Sequence, residues 1–332
     1  MKVSFLCQHF CAGLISYRIG KRVEIRYSYI FSRPPLPRPH VSPYEGAFTF
    51  YAIPERTAVA ETSKPNYPDL GARTIGHVNW IGLQTLYLKE TRRFMKVWAQ
   101  TLAAPAVTTI LFMVIFSLAL GGRGRMVADM PYAQFLAPGL IVMSILQNAF
   151  ANTSSSILIA KVQGNIVDTL MPPLSALELT LGFVAGGVTR GVLVGLSVGT
   201  AFTLMPGVDM SVSHVWPIIY FALAASMMLS LMGVLTGVWA EKFDHSAAIT
   251  NFVIAPLSLL SGTFYSVERL SEGWQIFSSI NPFFYLIDGF RYGFIDRADS
   301  DLMVGVGFTF LINLMLTIAV YQVFKKGYRL KA

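Results

Sequence analysis

The sequence predicts an all-α integral membrane protein with six transmembrane helices. The chain of 332 residues is 54% hydrophobic and only 13% charged, and its mean hydropathy is +0.54. A soluble domain carries about 25% charged residues, so this chain has half the charge that a water-facing surface needs. Several segments are also apolar over the length of about 20 residues that crosses about 30 Å of hydrocarbon.

The first 78 residues differ in composition from the rest of the chain. Residues 33–43 read RPPLPRPHVSP, and further prolines follow at 54, 65 and 68. Proline fixes φ and removes a backbone donor, so this stretch cannot form a continuous helix or a central strand. We therefore expect a weakly structured, Pro-rich N-terminal extension over 1–78 and a transmembrane domain over 79–332. Cys7 and Cys11, the two cysteines, both lie in the extension and give the rest of the chain no disulfide framework.

Residues 80–98, WIGLQTLYLKETRRFMKVW, predict an amphipathic helix at the membrane surface. Apolar side chains recur at helical spacing, and charged side chains cluster in the second half of the segment. A helix of this kind lies in the interface with its basic groups toward the lipid headgroups. The pattern also fits a cytosolic end of the first span. The charged cluster comprises Lys89, Glu90, Arg92, Arg93 and Lys96.

The spans are predicted at about 98–120, 133–159, 177–204, 215–240, 247–265 and 302–324. With the N-terminus inside, the cytoplasmic segments contain ten Lys/Arg and the external segments contain five. Basic residues are in excess in the cytoplasmic loops of membrane proteins. The asymmetry predicts that both termini are cytoplasmic.

Polar side chains within two spans mark candidate functional positions. Gln147, Asn148 and Asn152 lie in the second span, where amides need protein or water as partners. This helix is therefore predicted to line a pathway or a subunit interface. Arg190 lies in the inner half of the third span, and it fits either a snorkelled anchor or a functional ion pair or headgroup contact. Glycines at four-residue intervals over 187–199 predict close helix packing in the same span.

The segment 161–175, KVQGNIVDTLMPPLS, connects the second and third spans. Its apolar residues have helical spacing, and Pro172 and Pro173 end the pattern. A short helix that projects into the cytosol between two spans is a natural docking element for a partner.

The segment 281–293, NPFFYLIDGFRYG, is too interrupted to cross a bilayer and too apolar for an ordinary loop. It predicts a short re-entrant or interfacial helix on the external side, before the last span. Its aromatic residues suit an interfacial aromatic belt. Asp288 and Arg291 are three residues apart, so they could pair with each other or contact polar groups of a departing substrate.

Several kinds of site are missing from the sequence. It contains no G-x-x-x-x-G-K-[ST], so the chain has no P-loop for ATP. Its five histidines have no metal-ligand spacing, and no catalytic constellation can be assembled. Residues 1–78 hold ten Lys/Arg and five Asp/Glu, so they supply +5 of the net charge of +8, which argues against nucleic acid binding. We predict that the chain is not an enzyme and binds no cofactor or metal itself.

From about Val78 onward the chain resembles the membrane subunits of type-2 ATP-binding-cassette (ABC-2) exporters. The resemblance is carried by NPFFYLIDGFRYG at 281–293, PLSLLSGTFYSVERL at 256–270, TRRFMKVWAQTL at 91–102, MPPLS at 171–175 and RGVLVG at 190–195. Thr263 departs from the pattern, where a smaller or aliphatic residue is expected. The family's external motif corresponds to Pro282, Tyr285 and Arg291, with Asp288 between them.

The resemblance implies a permease for an amphiphilic, glycan or drug-like substrate in a bacterial inner membrane. Two copies would form a homodimeric channel, and two separate subunits would bind ATP and Mg²⁺ and hydrolyse the ATP. The surface helix and the 161–175 loop would contact those subunits. The residues implied in this coupling are Arg92, Arg93, Lys161, Gly164, Ile166, Asp168, Leu170, Pro172 and Pro173.

Two alternatives to an ABC permease follow from the residues. An ion-coupled secondary carrier would need a carboxylate at mid-depth, and the predicted spans contain only Glu178, at a cytoplasmic end. A non-transporting membrane scaffold would use the spans only as an anchor for the N-terminal extension.

Overall fold

A computed structural model describes residues 76, 78–121, 126–127, 130–205, 208–267 and 270–328, without the side chains of 120, 121 and 127. Nearly all of the predicted N-terminal extension, and Arg329 to Ala332, therefore lie outside the described residues. The described chain is helical apart from two paired two-residue strands, β1 (Met126–Val127) and β2 (Met130–Pro131). The helices are α1 (Trp80–Met95), α2 (Ala104–Gly121), α3 (Tyr132–Val162), α4 (Ile166–Leu170), α5 (Ala176–Thr203), α6 (Val215–Trp239), α7 (Phe243–Ile249), α8 (Ala255–Ser258), α9 (Glu272–Ile280), α10 (Pro282–Ile295) and α11 (Leu302–Lys326).

Six stretches of the described chain are long and apolar enough to cross a membrane, which confirms the predicted fold class. Their boundaries agree with the predicted ones to within four residues. The first span joins a π-helical turn to α2, and the fifth span runs from α7 through α8 with two further π-helical turns. The spans are Ala99–Ala119, Tyr132–Val162, Ala176–Thr203, Val215–Trp239, Phe243–Thr263 and Leu302–Lys326.

The helices begin and end at residues that satisfy their free backbone groups. Asn79 caps α1 by accepting a hydrogen bond from the Gly82 N–H at 2.9 Å. Ser175 and Glu178 form a reciprocal capping box at the start of α5. Gly327, in the left-handed region with φ +63°, ends α11. These caps determine where α1 and α5 begin and where α11 ends.

Helix α3 is the centre of the bundle. In its most apolar window 72% of residues are buried, and it packs against α5, α6, α10 and α2. The first, fifth and sixth spans lie at the periphery and are mostly exposed. Between Leu302 and Tyr321 the exposed side chains of α11 are apolar, among them Met303, Phe310 and Met315, as expected for a face in contact with lipid.

Adjacent glycines in α5 allow two neighbours to approach this helix closely. A Cβ added to Gly186 would lie 2.6 Å from Glu90 Cβ on α1. One added to Gly187 would lie 2.8 Å from the Thr153 side chain on α3. The close helix packing predicted from the glycine spacing in the third span is confirmed here.

The fifth span ends in a kink at Gly262, whose φ is +77°. This left-handed conformation is open to glycine without steric cost. The chain turns there into an irregular loop and then into α9 and α10, two short helices that lie before the last span, as predicted.

Most of helix α10 is buried, and the prediction of an interfacial aromatic belt is wrong for three of its phenylalanines. Phe283, Phe284 and Phe290 are at most 5% exposed, and Phe283 and Phe290 pack in the main core with residues of α3 and α6. Tyr285 and Tyr292 of α10 are partly exposed, and α9 presents Trp274 and Phe277 outward. The belt prediction failed because composition does not distinguish rings that meet lipid headgroups from rings that meet other helices.

Candidate functional site

The short helix α4 forms a tip at one end of the bundle, which we call the α1 end. Val167 and Met171 are 50% and 77% exposed there, and Pro172 and Pro173 are exposed beside them. Ile166, by contrast, is buried in the core cluster formed by α3, α5, α6 and α11. The tip is therefore anchored from beneath and apolar on its outer side.

Two lysines attach this tip to its neighbours. The Lys161 ammonium, at the end of α3, donates to the carbonyls of Val238 at 2.6 Å and Ala240 at 2.8 Å, where α6 ends. A cation at a helix C-terminus satisfies free carbonyls and complements the helix dipole. Lys89 Nζ on α1 donates to Thr169 Oγ1 at 2.8 Å on α4. Lys161 therefore joins the end of α3 to the end of α6, and Lys89 joins α1 to α4.

Glu178 has a structural role at the α1 end. Its Oε1 accepts from the Asn79 N–H and its Oε2 from the Ser175 N–H, each at 2.6 Å. The side chain of Asn79 also donates to the Pro173 carbonyl at 3.2 Å. The carboxylate that a secondary carrier would need is thus used to join the starts of α1 and α5.

The residues predicted for coupling divide into two groups. Ile166 and Leu170 pack against the core, and Lys161 and Arg93 direct their side chains to neighbouring helices. The exposed group comprises Arg92, Gly164, Asp168, Pro172 and Pro173.

A polar cluster lies inside the bundle where α1, α3 and α5 meet. Glu90 is fully buried, and its carboxylate pairs with Arg93 at 3.2 Å and accepts from Ser156 Oγ at 2.7 Å. Arg93 Nη2 also donates to the backbone oxygen and Oδ1 of Asn152, at 2.7 and 3.0 Å. Arg93, which was predicted to contact a partner subunit, thus holds α1 to the central helix α3.

Arg190 and Asn148 continue this cluster deeper into the bundle. Arg190 Nη2 donates to Asn148 Oδ1 at 3.1 Å. Asn148 and Gln147 in turn line a groove of 290 Å³ between α2 and α3, together with Gln100 and Ser144. The structure therefore brings Arg190 and all three predicted amides into one polar region.

At the opposite end, which we call the α10 end, Arg291 is buried and bound to the protein itself. Its Nη2 donates to the Gly262 carbonyl at 2.7 Å, and its guanidinium lies 4.0 Å from the centre of the Phe135 ring. Burial lowers the pKa of this guanidinium, and the charges of Asp288 and Asp299 oppose that shift. Arg291 joins α10 to the kink of the fifth span and to the start of α3.

Asp288 is buried as well and fixes the loop before α11. Its carboxylate accepts from the Asp299 and Ser300 N–H groups, both at 2.9 Å, and from Ser300 Oγ at 2.6 Å. Burial raises the pKa of the Asp288 carboxyl, and the hydrogen bonds from Ser300 and Asp299 act against that rise. Among the described residues, the ion pairs within 4.0 Å do not include Asp288 and Arg291. Direct pairing, one of the two alternatives predicted for these side chains, is therefore not formed, because each of them binds backbone groups.

Pro282 and Tyr285 complete the external motif. Pro282 occupies the first turn of α10, directly after the cap Asn281, whose amide also donates to Ser261 Oγ at 2.8 Å. The Tyr285 hydroxyl donates to the Ser279 carbonyl at 3.0 Å. Burial and the Asp288 charge raise the pKa of Tyr285, so the hydroxyl keeps its proton.

Three functional positions were missed in the sequence. Glu90 was assigned to the surface, yet Leu86, Glu90 and Phe94 are the three buried residues of α1 and recur at intervals of four. That spacing was the available signal. The exposed pair Val167 and Met171 had no such signal, because apolar residues at helical spacing predict burial.

Six helices long and apolar enough to cross a membrane, with a polar groove between two of them and an anchored apolar tip at one end, form the architecture of a multi-pass membrane protein. The family model described as ABC-2 type transporter matches residues 82–295, and the chain belongs to this family. It is a protein of the inner membrane.

Two kinds of relative illustrate the match. The chain is 38% identical over 257 residues to the inner membrane transport permease YadH of Escherichia coli (strain K12). The aligned region covers 77% of this chain and 99% of the relative. It is 25% identical over 238 residues to nodulation protein J of Neorhizobium galegae, which covers 70% of this chain and 87% of the relative.

Proposed function

We propose that the chain is the membrane subunit of an ATP-driven exporter. It would move an amphiphilic, glycan or drug-like substrate across the inner membrane while a separate subunit binds ATP and Mg²⁺ and hydrolyses the ATP. The observation that carries this proposal is the α4 tip. Apolar side chains exposed on an otherwise polar loop mark a protein contact, and Lys161 and Lys89 connect this contact to α6 and α1.

The α1 end is proposed to face the cytoplasm, where ATP is available. The six spans found among the described residues place Asn79 and Tyr328 on the same side of the membrane. The basic residues Lys89, Arg92, Lys161, Lys242 and Lys325 all belong to that end, in keeping with the excess of basic residues on the cytoplasmic side.

The substrate path is proposed to lie between two copies of this chain. The first and fifth spans expose polar side chains, namely Gln100, Thr108 and Asn251, whereas the exposed residues of α11 in the membrane are apolar. Polar groups facing lipid are costly, so the first and fifth spans suit a second copy or an aqueous path. The groove lined by Gln147 and Asn148 opens beside the first span.

Affinity purification of the tagged full-length chain from its native membranes tests the proposal. We expect a protein with a P-loop to co-purify and to hydrolyse ATP in the complex. Val167→Asp and Met171→Asp should each weaken that association, because they place a charge in an apolar contact. Val212→Asp is the matched control, because Val212 is 52% exposed like Val167 but lies at the α10 end.

Two results would contradict the proposal. One is the absence of any ATP-binding protein from the complex of the unaltered chain. The other is an equal loss of association in the Val212 control and the α4 variants, which would show that the tip is not the contact.

A further inference from the structure

The cluster at the junction of α1, α3 and α5 has more positive than negative charge. Two guanidinium groups lie there, since Arg93 binds Asn152 and Arg190 binds Asn148, one turn earlier on α3. Glu90 is the acid that pairs with Arg93, so two cations and one anion leave a net charge of +1. In the described part of the chain, the ion pairs within 4.0 Å do not include Arg190.

The cluster also contains hydrogen-bond donors without acceptors. Arg93 Nε, Asn152 Nδ2 and Arg190 Nε are buried, and none has a partner among the described residues. All three atoms are N–H donors. Arg93 contacts Asn152, and Arg190 contacts Asn148, which is one turn from Asn152 on α3. Buried donors are nearly always paired, and three in one place indicate an absent group that accepts hydrogen bonds.

The cluster can be reached from the side of the bundle. Asn148, which binds Arg190, lines the 290 Å³ groove between α2 and α3. The Arg93 side chain is 30% exposed. Arg190 is 14 residues beyond Ala176, about 21 Å along α5 and therefore at the middle of this helix of about 42 Å. The hydrocarbon is about 30 Å thick, so with the excess helix length at the α1 end Arg190 lies about 9 Å inside it, a depth from which a guanidinium snorkels to the headgroups.

We propose that this cluster binds a phosphate group, with Arg190, Arg93 and Asn152 donating to its oxygens. Guanidinium groups match phosphate oxygens in geometry and charge. The phosphate can come from an anionic phospholipid of the adjacent leaflet or from a free anion. This binding does not depend on the proposed transport function, since it is measured on the isolated protein.

The test uses the purified full-length chain in nanodiscs of phosphatidylcholine, with or without phosphatidylglycerol. Native mass spectrometry counts the lipids that remain bound, and thermal unfolding is followed with added inorganic phosphate. We expect the unaltered protein to retain phosphatidylglycerol over phosphatidylcholine. In Arg190→Gln this preference should fall about tenfold, the loss of one charge-assisted contact. Lys325→Gln, an exposed cation at the same end of the bundle, should keep it.

The two sources of phosphate give different results. Retention of phosphatidylglycerol indicates that a lipid supplies the bound phosphate. Stabilisation by inorganic phosphate in phosphatidylcholine alone indicates that a free anion supplies it. Asn152→Asp is a second variant that keeps the test decisive if Arg190→Gln does not fold. The new carboxylate supplies an internal counterion, so this variant should fold without a bound anion. It should then respond neither to phosphatidylglycerol nor to inorganic phosphate. If Asn152→Asp and the unaltered protein respond alike, or if neither anion binds, then water satisfies these donors and the proposal is wrong.

Discussion

Replacing Glu90 tests whether a buried ion pair holds the surface helix α1 to the bundle. Glu90 is fully buried and serves two partners, Arg93 at 3.2 Å and Ser156 at 2.7 Å. In Glu90→Gln the shape is kept, but the guanidinium of Arg93 loses its anion and stays near Arg190. The variant therefore isolates the effect of one charge.

The expected loss follows from the burial of the two partners. Removing one member of a fully buried ion pair costs about 3–5 kcal/mol. Arg93 is 30% exposed, and water there screens part of the charge left behind, so we expect about 2–3 kcal/mol. For a domain of this size each kcal/mol shifts the unfolding temperature by roughly 2–4 °C. The predicted fall is therefore roughly 4–12 °C.

Thermal unfolding of purified Glu90→Gln, Arg93→Gln and the double variant measures this effect as a double-mutant cycle. The double variant should be more stable than the sum of the single losses predicts, by about 1–2 kcal/mol, because it leaves neither Glu90 nor Arg93 without its partner charge. Lys96→Gln is the control, an exposed cation of the same segment, and should change stability by less than about 0.5 kcal/mol. Strictly additive losses would refute the assignment of Glu90 and Arg93 as a coupled pair.

Three further variants address the ends of the bundle. Arg291→Lys keeps the charge but loses the planar contact with Phe135, so the free energy of unfolding should fall by about 2 kcal/mol, seen as a lower unfolding temperature. An unchanged unfolding temperature would show that the charge alone stabilises this end. Gly262→Ala forces a side chain into φ +77° and should cost about 1–2 kcal/mol in the same assay, and a neutral effect would mean that the kink relaxes. Lys161→Met removes the ammonium that donates to the end of α6. The complex should still assemble, but its ATP hydrolysis should no longer respond to substrate, and a normal response would show that Lys161 has no role in coupling.

The spans could be predicted from the sequence because each is a continuous apolar run. Their ends are encoded by residues such as Ser175 with Glu178 and Gly327, whose capping chemistry is local. The amides Asn148 and Asn152 were recognised for the same reason, since an amide inside a span must find a partner. Both proved to bind arginines.

What escaped prediction depends on contacts between distant parts of the chain. Arg93 and Asn152 are 59 residues apart, and Arg291 and Gly262 are 29 apart. Nothing in the local pattern distinguishes a basic residue that faces headgroups from one that faces another helix. The rings of α10 illustrate the same point, because Phe283 would suit a membrane interface or a core equally well, and only the neighbouring helices decide.

The contacts of Asp288 and Arg291 have a mechanical consequence. They tie α10, the fifth-span kink, the start of α3 and the loop before α11 to one another through backbone groups. The α10 end of the bundle then moves as a single block. In the proposed dimeric exporter this block would act as a pivot, so that tilting at the α1 end, driven from α4, would widen or close the seam between the two copies. Cross-links within the block should leave transport intact, whereas cross-links across the seam should stop it.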